Sequence, residues 1–183
     1  MILDIFESVS GARLLYNYLW IGGVARDINA DQVAKIKAFL DYFEPKIDEY
    51  NNLISYNKIF VHRLANVAVI SAEEAVAYGL TGPNLRGSGI RFDLRRDEPY
   101  SVYPKLDFNV CVGTGERGKL GDCFDRYMVR INEMRESVKI VRQALAQIPE
   151  GPVMAKVPRV FKPPAGEVYF RSERRKSTRL NSS

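Results

Sequence analysis

No apolar run in this sequence approaches the roughly 20 residues that a membrane-spanning helix requires. The N-terminus also lacks the basic n-region and apolar core of a secretory signal. A chain soluble by itself is therefore expected, with any membrane association supplied by partners. Cysteine is scarce: Cys111 and Cys123 are the only two, twelve residues apart, without Cys-x-x-Cys spacing or a nearby histidine. That pattern reads as two reduced thiols in an intracellular protein, not as a disulfide frame or a zinc site. Histidine is scarcer still. His62 stands alone in a short apolar stretch, where a structural imidazole fits better than a metal ligand or a catalytic base, both of which need neighbours that are missing there.

A basic face with interleaved aromatics is also missing. The formal charge of +5 invites a nucleic-acid reading, but four of the 27 basic residues (Arg174, Arg175, Lys176 and Arg179) fall in the last ten positions with no acid among them. Without them, 23 basic residues face 22 acids. The excess belongs to the tail, and nucleic acid is not an expected partner. What remains is ordinary for a folded protein: 183 residues, 46% apolar and 27% charged, enough for one domain with a real core.

The chemistry of the sequence concentrates between Gly82 and Tyr100. These nineteen residues hold three glycines, two prolines, four arginines and three acids. The glycine and proline density predicts ordered loop and short strand there, not helix. Arginine forks beside carboxylates make bidentate, charge-assisted pairs. Arg86, Asp93, Arg95, Asp122, Asp125 and Arg126 are accordingly the candidates for ion-pair networks that hold the scaffold.

Around this stretch the spacing of apolar residues predicts mainly helix. Ile2, Ile5, Phe6, Val9, Leu14 and Tyr18 predict one over Met1–Tyr18, and with no capping residue at Met1 it reads as a helix continuing from upstream. Gly22 and Gly23 make a turn within Trp20–Ile28. Asn29 and Gln32 form a capping box for a helix carrying Val33, Ile36, Phe39, Leu40 and Phe43, which Pro45 should kink or restart before it runs on through Ile54. The span from Ile59 to Val69 fits helix or strand equally. Ser71 and Glu74 form a second capping box, for a short helix ending at Gly79. Tyr100 to Val112 reads as extended, with a break at Pro104.

The longest helix is predicted from Asp122 to Ile148. Phe124, Tyr127, Ile131, Met134, Val138, Val141, Leu145 and Ile148 make a narrow seam on it, fit for a bundle core, a partner interface or a coiled-coil dimer. Just before it, Gly113, Gly115 and Gly118 match the Gly-x-Gly-x-x-Gly of dinucleotide-binding turns. Asp122 and Asp125 in the following first turn would repel a pyrophosphate, and Pro152–Phe161 offers no acid for a ribose, so nucleotide binding is not expected. Prolines and glycines beyond Pro149 exclude further regular helix.

Three motifs in one order carry a resemblance. They are Val9-Ser-Gly-Ala-Arg13 with Gly22-Gly23-Val24 and Asp27, then Leu85-Arg-Gly-Ser-Gly-Ile90 with Asp93-Leu-Arg95, and finally Gly121-Asp-Cys-Phe-Asp-Arg-Tyr127 with Arg130, Glu133, Met134, Arg135 and Ser137. From about Leu3 to about Phe170 the chain resembles the D-type subunit of respiratory NADH–quinone oxidoreductase (complex I), whose chloroplast counterpart is the H-type subunit and which is related to nickel–iron hydrogenase large subunits. The resemblance implies a fragment of that protein's middle portion: a mainly α fold with small β excursions (α+β), an incomplete hydrogenase-large-subunit-like helical bundle over residues 1–173. Residues 174–183 match nothing in the family and read as a disordered, non-native tail.

By the same resemblance, the D-type subunit packs against an iron–sulfur subunit whose [4Fe-4S] cluster passes electrons to a quinone, while NAD binds elsewhere in the complex. Other peripheral-arm and membrane subunits are further partners, and the location is peripheral, on the cytoplasmic face of the bacterial inner membrane. This chain itself would hold no cofactor and no metal. The His, Tyr and Asp that serve the quinone headgroup in the family fall upstream of Met1, so no catalytic residue is assigned. Trp20, Gly22, Gly23 and Val24 are the candidate chamber or partner-interface loop, although Trp20 stands where relatives carry arginine. The alternative is a stand-alone helical interaction or dimerisation protein that uses the 124–148 seam.

Overall fold

The computed structural model describes residues 1–158, 160, 162 and 164–172, so the tail expected over residues 174–183 lies outside the described residues. The chain divides into two units. Met1–Glu44 and Arg142–Tyr169 form one, and Pro45–Val141 with the described residues from Phe170 onward form the other. Among the described residues the architecture is mainly α, with one two-stranded antiparallel sheet.

In the first unit, α1 (Ile2–Ser10) is shorter than the apolar spacing predicts. Gly11 adopts a left-handed φ of 82° and its N–H caps the Glu7 carbonyl, which ends the helix and leaves Leu14 and Tyr18 outside it. A small hairpin follows, β1 (Leu19–Trp20) paired with β2 (Gly23–Val24). The segment after the last helix docks on it: Val24 N–H donates to the Val153 carbonyl at 3.0 Å, and Ala155 N–H to Gly22 O at 2.9 Å. α2 (Ala30–Tyr50) then opens on the expected capping box. Gln32 N–H donates to Asn29 Oδ1 and Asn29 N–H to Gln32 Oε1, both at 2.9 Å. Gln32 Nε2 also donates to the Ser8 carbonyl at 2.6 Å, tying α1 to the start of α2 beside the buried Val9.

Pro45 lies inside α2 without interrupting it. The residue is exposed, so its ring and its missing N–H burden only the solvent side of the helix. The irregularity comes later, as a π-helical turn over Asn51–Ser55. The ambiguous stretch is helical: α3 (Lys58–Leu64) starts at Asn57, whose side chain accepts from the N–H groups of Ile59 and Phe60. The second capping box is present at α4 (Ala72–Ala77).

The segment from Gly82 to Tyr100 departs from the loop-and-strand expectation. It forms two short helices, α5 (Gly82–Gly87) and α6 (Leu94–Asp97). Pro83 sits in the first turn of α5, where its missing N–H costs nothing, and Asp93 caps α6 by accepting from Arg95 N–H. A 3₁₀ turn over Tyr103–Lys105 replaces part of the extended run predicted for Tyr100–Val112. The long helix, α7 (Cys123–Ala146), follows. Its seam residues Phe124, Ile131 and Val138 are buried within the second unit, at 0%, 4% and 4% exposure, so this part of the seam is core and not a stripe left for a second copy.

The hairpin leaves no room for a side chain at its turn. A Cβ on Gly23 would stand 2.1 Å from the Val153 carbonyl oxygen, at a φ of +157°. Gly23→Ala is expected to lower the unfolding free energy by about 2 kcal/mol or more, read from urea denaturation of the full chain. An unchanged midpoint would contradict the close backbone approach.

Candidate functional site

The arginine-rich segment builds its site around one buried cation. Arg86 is 1% exposed and sits on α5 facing α7. Its guanidinium donates to the Phe92 carbonyl at 3.2 Å, lies 3.5 Å from Asp93 Oδ2, and makes a close ion pair with Glu133, 47 residues along on α7. Asp93 is shared. Arg95 reaches the same carboxylate through Nε at 2.9 Å and Nη2 at 2.5 Å, a bidentate fork. Arg95 and Arg96 also stack on the Phe108 ring, at 4.9 and 4.3 Å from its centroid. The last described residues lie against this cluster: Arg171 pairs with Glu98 at 2.5 Å, and Phe170 meets Tyr100 edge-on.

Burial alone would raise the Asp93 carboxyl. The Arg95 hydrogen bonds, with the charges of Arg95 and Arg86, outweigh it and hold the group below the ordinary carboxylate range. Cys111 shows the opposite balance. Burial, reinforced by Glu133 and Glu136, pushes its thiol up to about 11. It is a packed thiol and not a nucleophile. Both cysteines are free.

Asp122, Asp125 and Arg126 form a second group, bonded to backbone. Asp122 accepts from Asn66 N–H and Asp125 N–H, each at 2.8 Å. Asp125 accepts from Thr114, Gly115 and Gly121 N–H groups at 3.0 to 3.3 Å. The glycine motif is therefore an anion-binding nest whose anion is the chain's own Asp125. Arg126 donates to the Gly121 and Ala68 carbonyls at 2.6 and 2.7 Å.

Trp20, Gly22, Gly23 and Val24 lie together in the hairpin of the first unit. Trp20 is 53% exposed, and Leu14, Leu15, Leu19 and Ile21 are exposed beside it in sequence. His62 is exposed on α3.

One pocket of about 220 Å³ opens beside Arg86 in the second unit, lined by Arg95, Tyr103, Arg130, Glu133, Met134 and Ser137 among others. Glu133 and Arg130 appear in the sequence only as part of the third motif, and nothing local marks either as a partner of Arg86 or of the pocket. Their single signal is the (i, i+3) spacing that puts both on one side of α7.

A family model described as respiratory-chain NADH dehydrogenase, 49 Kd subunit, matches residues 1–179. The chain is 56% identical over 170 residues to the second D-type subunit of NADH-quinone oxidoreductase from Anaeromyxobacter dehalogenans, covering 93% of this chain and 45% of that protein. It is 50% identical over 172 residues to the D-type subunit from Clostridium beijerinckii, covering 94% and 45%. With the D-type subunit from Chlorobaculum tepidum the identity is 48% over 175 residues, covering 94% and 44%. The chain thus spans less than half the length of the curated relatives it matches.

Two outcomes follow from the Arg86 cluster. Arg86→Ala leaves Asp93 and Glu133 buried or half-buried without their shared cation, and should cost about 3–5 kcal/mol in urea unfolding; a loss under about 1 kcal/mol would mean the pairs are worth no more than surface ones. Because the folded-state Asp93 is held below its unfolded value, its stabilisation is present above the unfolded Asp range near pH 3.9 and is lost as pH falls through the folded value. The stability gap between the native chain and Asp93→Asn should therefore shrink below about pH 4. A gap that widened on acidification would contradict this sign.

Proposed function

The chain belongs to the family of the respiratory-chain NADH dehydrogenase 49 Kd subunit, and from that premise we propose that it forms part of the quinone-chamber subunit of a proton-pumping NADH–quinone oxidoreductase. The observation that carries this reading is the match of residues 1–179, joined to about 50% identity with D-type subunits over more than nine-tenths of the chain. In this function, electrons from NADH pass through iron–sulfur clusters to a quinone. The last [4Fe-4S] cluster belongs to a partner protein, and NAD binds elsewhere in the complex. The chain sits peripherally, on the cytoplasmic face of the membrane. No helix among the described residues is long and apolar enough to cross a bilayer.

The part assigned to this chain is scaffold. Its mainly helical build is a portion of a hydrogenase-large-subunit-like bundle, in which the Arg86–Asp93–Arg95–Glu133 cluster and the carboxylates of Asp122 and Asp125 brace the elements around the chamber. A guanidinium buried between two carboxylates resists displacement because moving any member strands a charge in a desolvated site. Rigid bracing suits a chamber wall, since a reacting group misplaced by about 1 Å can cost two orders of magnitude in rate. The hairpin with Trp20, Gly22, Gly23 and Val24 faces the chamber or the iron–sulfur partner. No residue of this chain takes a catalytic role.

A chimeric complex tests the proposal. The matching segment of a host's D-type subunit is replaced by this chain's residues, and membranes are assayed for NADH oxidation with a quinone and with a soluble acceptor that takes electrons upstream of it. The chimera is expected to assemble and reduce quinone, and Arg86→Ala within it to lose assembled complex. Full assembly and full soluble-acceptor activity with no quinone reduction would overturn the chamber reading. An unaltered complex in the Arg86→Ala chimera would overturn the bracing role.

A further inference from the structure

Between Glu49 and Glu73 the sequence carries no acid, and the fold turns this stretch into a face that is both basic and apolar. The π-helical turn over Asn51–Ser55 leaves Leu53 at 65% and Ile54 at 41% exposure, and Tyr56 follows at 43%. On α3 the inward positions go to Phe60, Val61 and Leu64, with Phe60 set edge-on against Tyr127 of α7. The outward positions are Lys58, Ile59, His62 and Arg63, and Ile59 is 71% exposed. The glycine loop lies alongside: the Arg117 guanidinium stands 5.1 Å over the Tyr56 ring, and Lys119 N–H donates to Asn66 Oδ1 at 3.0 Å. Four exposed basic side chains, Lys58, Arg63, Arg117 and Lys119, therefore share this face. The acids nearest to it have their own partners. Glu116 pairs with Arg117 at 3.7 Å, Asp48 with Arg135 and Glu49 with Lys46.

We infer that this face docks on an anionic lipid surface, with Leu53, Ile54 and Ile59 entering the acyl boundary while Lys58, Arg63 and Lys119 meet lipid phosphates. Charge complementarity names an anionic partner. By itself it would suit an acidic protein equally well, and the aliphatic side chains decide between the two. Leu53 and Ile59 project from helical turns, and a protein partner would have to meet each of them with a shaped pocket. A fluid acyl layer takes up such projections without a matching surface. Long basic side chains beside them keep their heads at the phosphate level, and an aromatic ring such as that of Tyr56 suits the same depth. The loop and hairpin of the first unit are more apolar, but their charge names no partner, since Arg13 is already paired with Asp4 and Glu7. The inference does not rest on the quinone reading.

The test is flotation of the full chain with vesicles of phosphatidylcholine alone and of phosphatidylcholine mixed with phosphatidylglycerol. Binding is expected to the mixed vesicles only, and to weaken as salt is raised. Lys58→Gln and Arg63→Gln should each weaken it about fivefold, the worth of one cation at an anionic surface. Ile59→Ser should weaken it about tenfold, a change that a purely electrostatic attachment would not feel. All three positions are exposed, and circular dichroism checks that each variant keeps its helices. Arg174, Arg175, Lys176 and Arg179 also attract anionic lipid, so every variant retains them and is compared with the native chain. Leu15→Ser, at a 93% exposed position of the first unit, should leave the affinity unchanged. A loss at Leu15 with none at Ile59 would overturn the site. So would equal binding to both kinds of vesicle, or an affinity unmoved by the three substitutions. No vesicle binding by a folded chain would overturn the lipid surface and leave the face to an acidic protein.

Discussion

Two carboxylates at the start of α7 hold the second unit together. Asp122 and Asp125 are 1% and 2% exposed, and between them they accept five backbone N–H groups, from Asn66, Thr114, Gly115, Gly121 and Asp125 itself. Removing a carboxylate from water costs several kcal/mol. Hydrogen bonds to a charged acceptor, at about 1.5–3 kcal/mol each, offset that cost only when several are made together. Each acid meets this condition, and the helix N-terminus adds its positive field. The loop from Gly113 to Gly121 has no regular secondary structure to satisfy its backbone, and Asp125 takes three of its N–H groups.

From this anchor the order reaches α5. Gly113 N–H donates to the Arg86 carbonyl at 2.8 Å, and a Cβ on Gly113 would stand 2.2 Å from the Gly87 carbonyl oxygen. The loop therefore touches the backbone of α5 directly, while Arg126 reaches back to the Gly121 and Ala68 carbonyls. With α5 against the first turns of α7, the Arg86 side chain reaches Glu133 and Asp93. The buried cation closes the cluster in turn by lying between two acids, Glu133 and the Asp93 that it shares with Arg95.

Much of this was legible in the sequence, for local reasons. Both capping boxes formed because each needs only four residues. The two acids that follow the glycine motif argue against a bound nucleotide, and the structure gives a sharper reason: Asp125 itself fills the nest. The residues that misled were those whose local preference lost to context. Glycine and proline density between Gly82 and Tyr100 argued for loop, yet Pro83 is harmless in a first turn and Asp93 supplied a cap. Gly11 ended α1 within an apolar pattern that continued beyond it, and Pro45 was tolerated on an exposed face. Glu133 could not be paired with Arg86 from sequence, because their meeting is a tertiary event across 47 residues. The resemblance to the D-type family, by contrast, needed only the order of three motifs, and the match over residues 1–179 agrees with it.

The most direct test of this account is amide hydrogen exchange at Asn66, Gly115 and Gly121, none of which lies in a helix or strand. If the carboxylates of Asp122 and Asp125 anchor the unit, these three amides should exchange as slowly as those in the middle of α7, and Asp125→Ala should release Gly115 and Gly121 while sparing the helix. Exchange at the rate of an open loop in the native chain would show that the acids do not hold it, and the chain of contacts leading to Arg86 would have to start elsewhere.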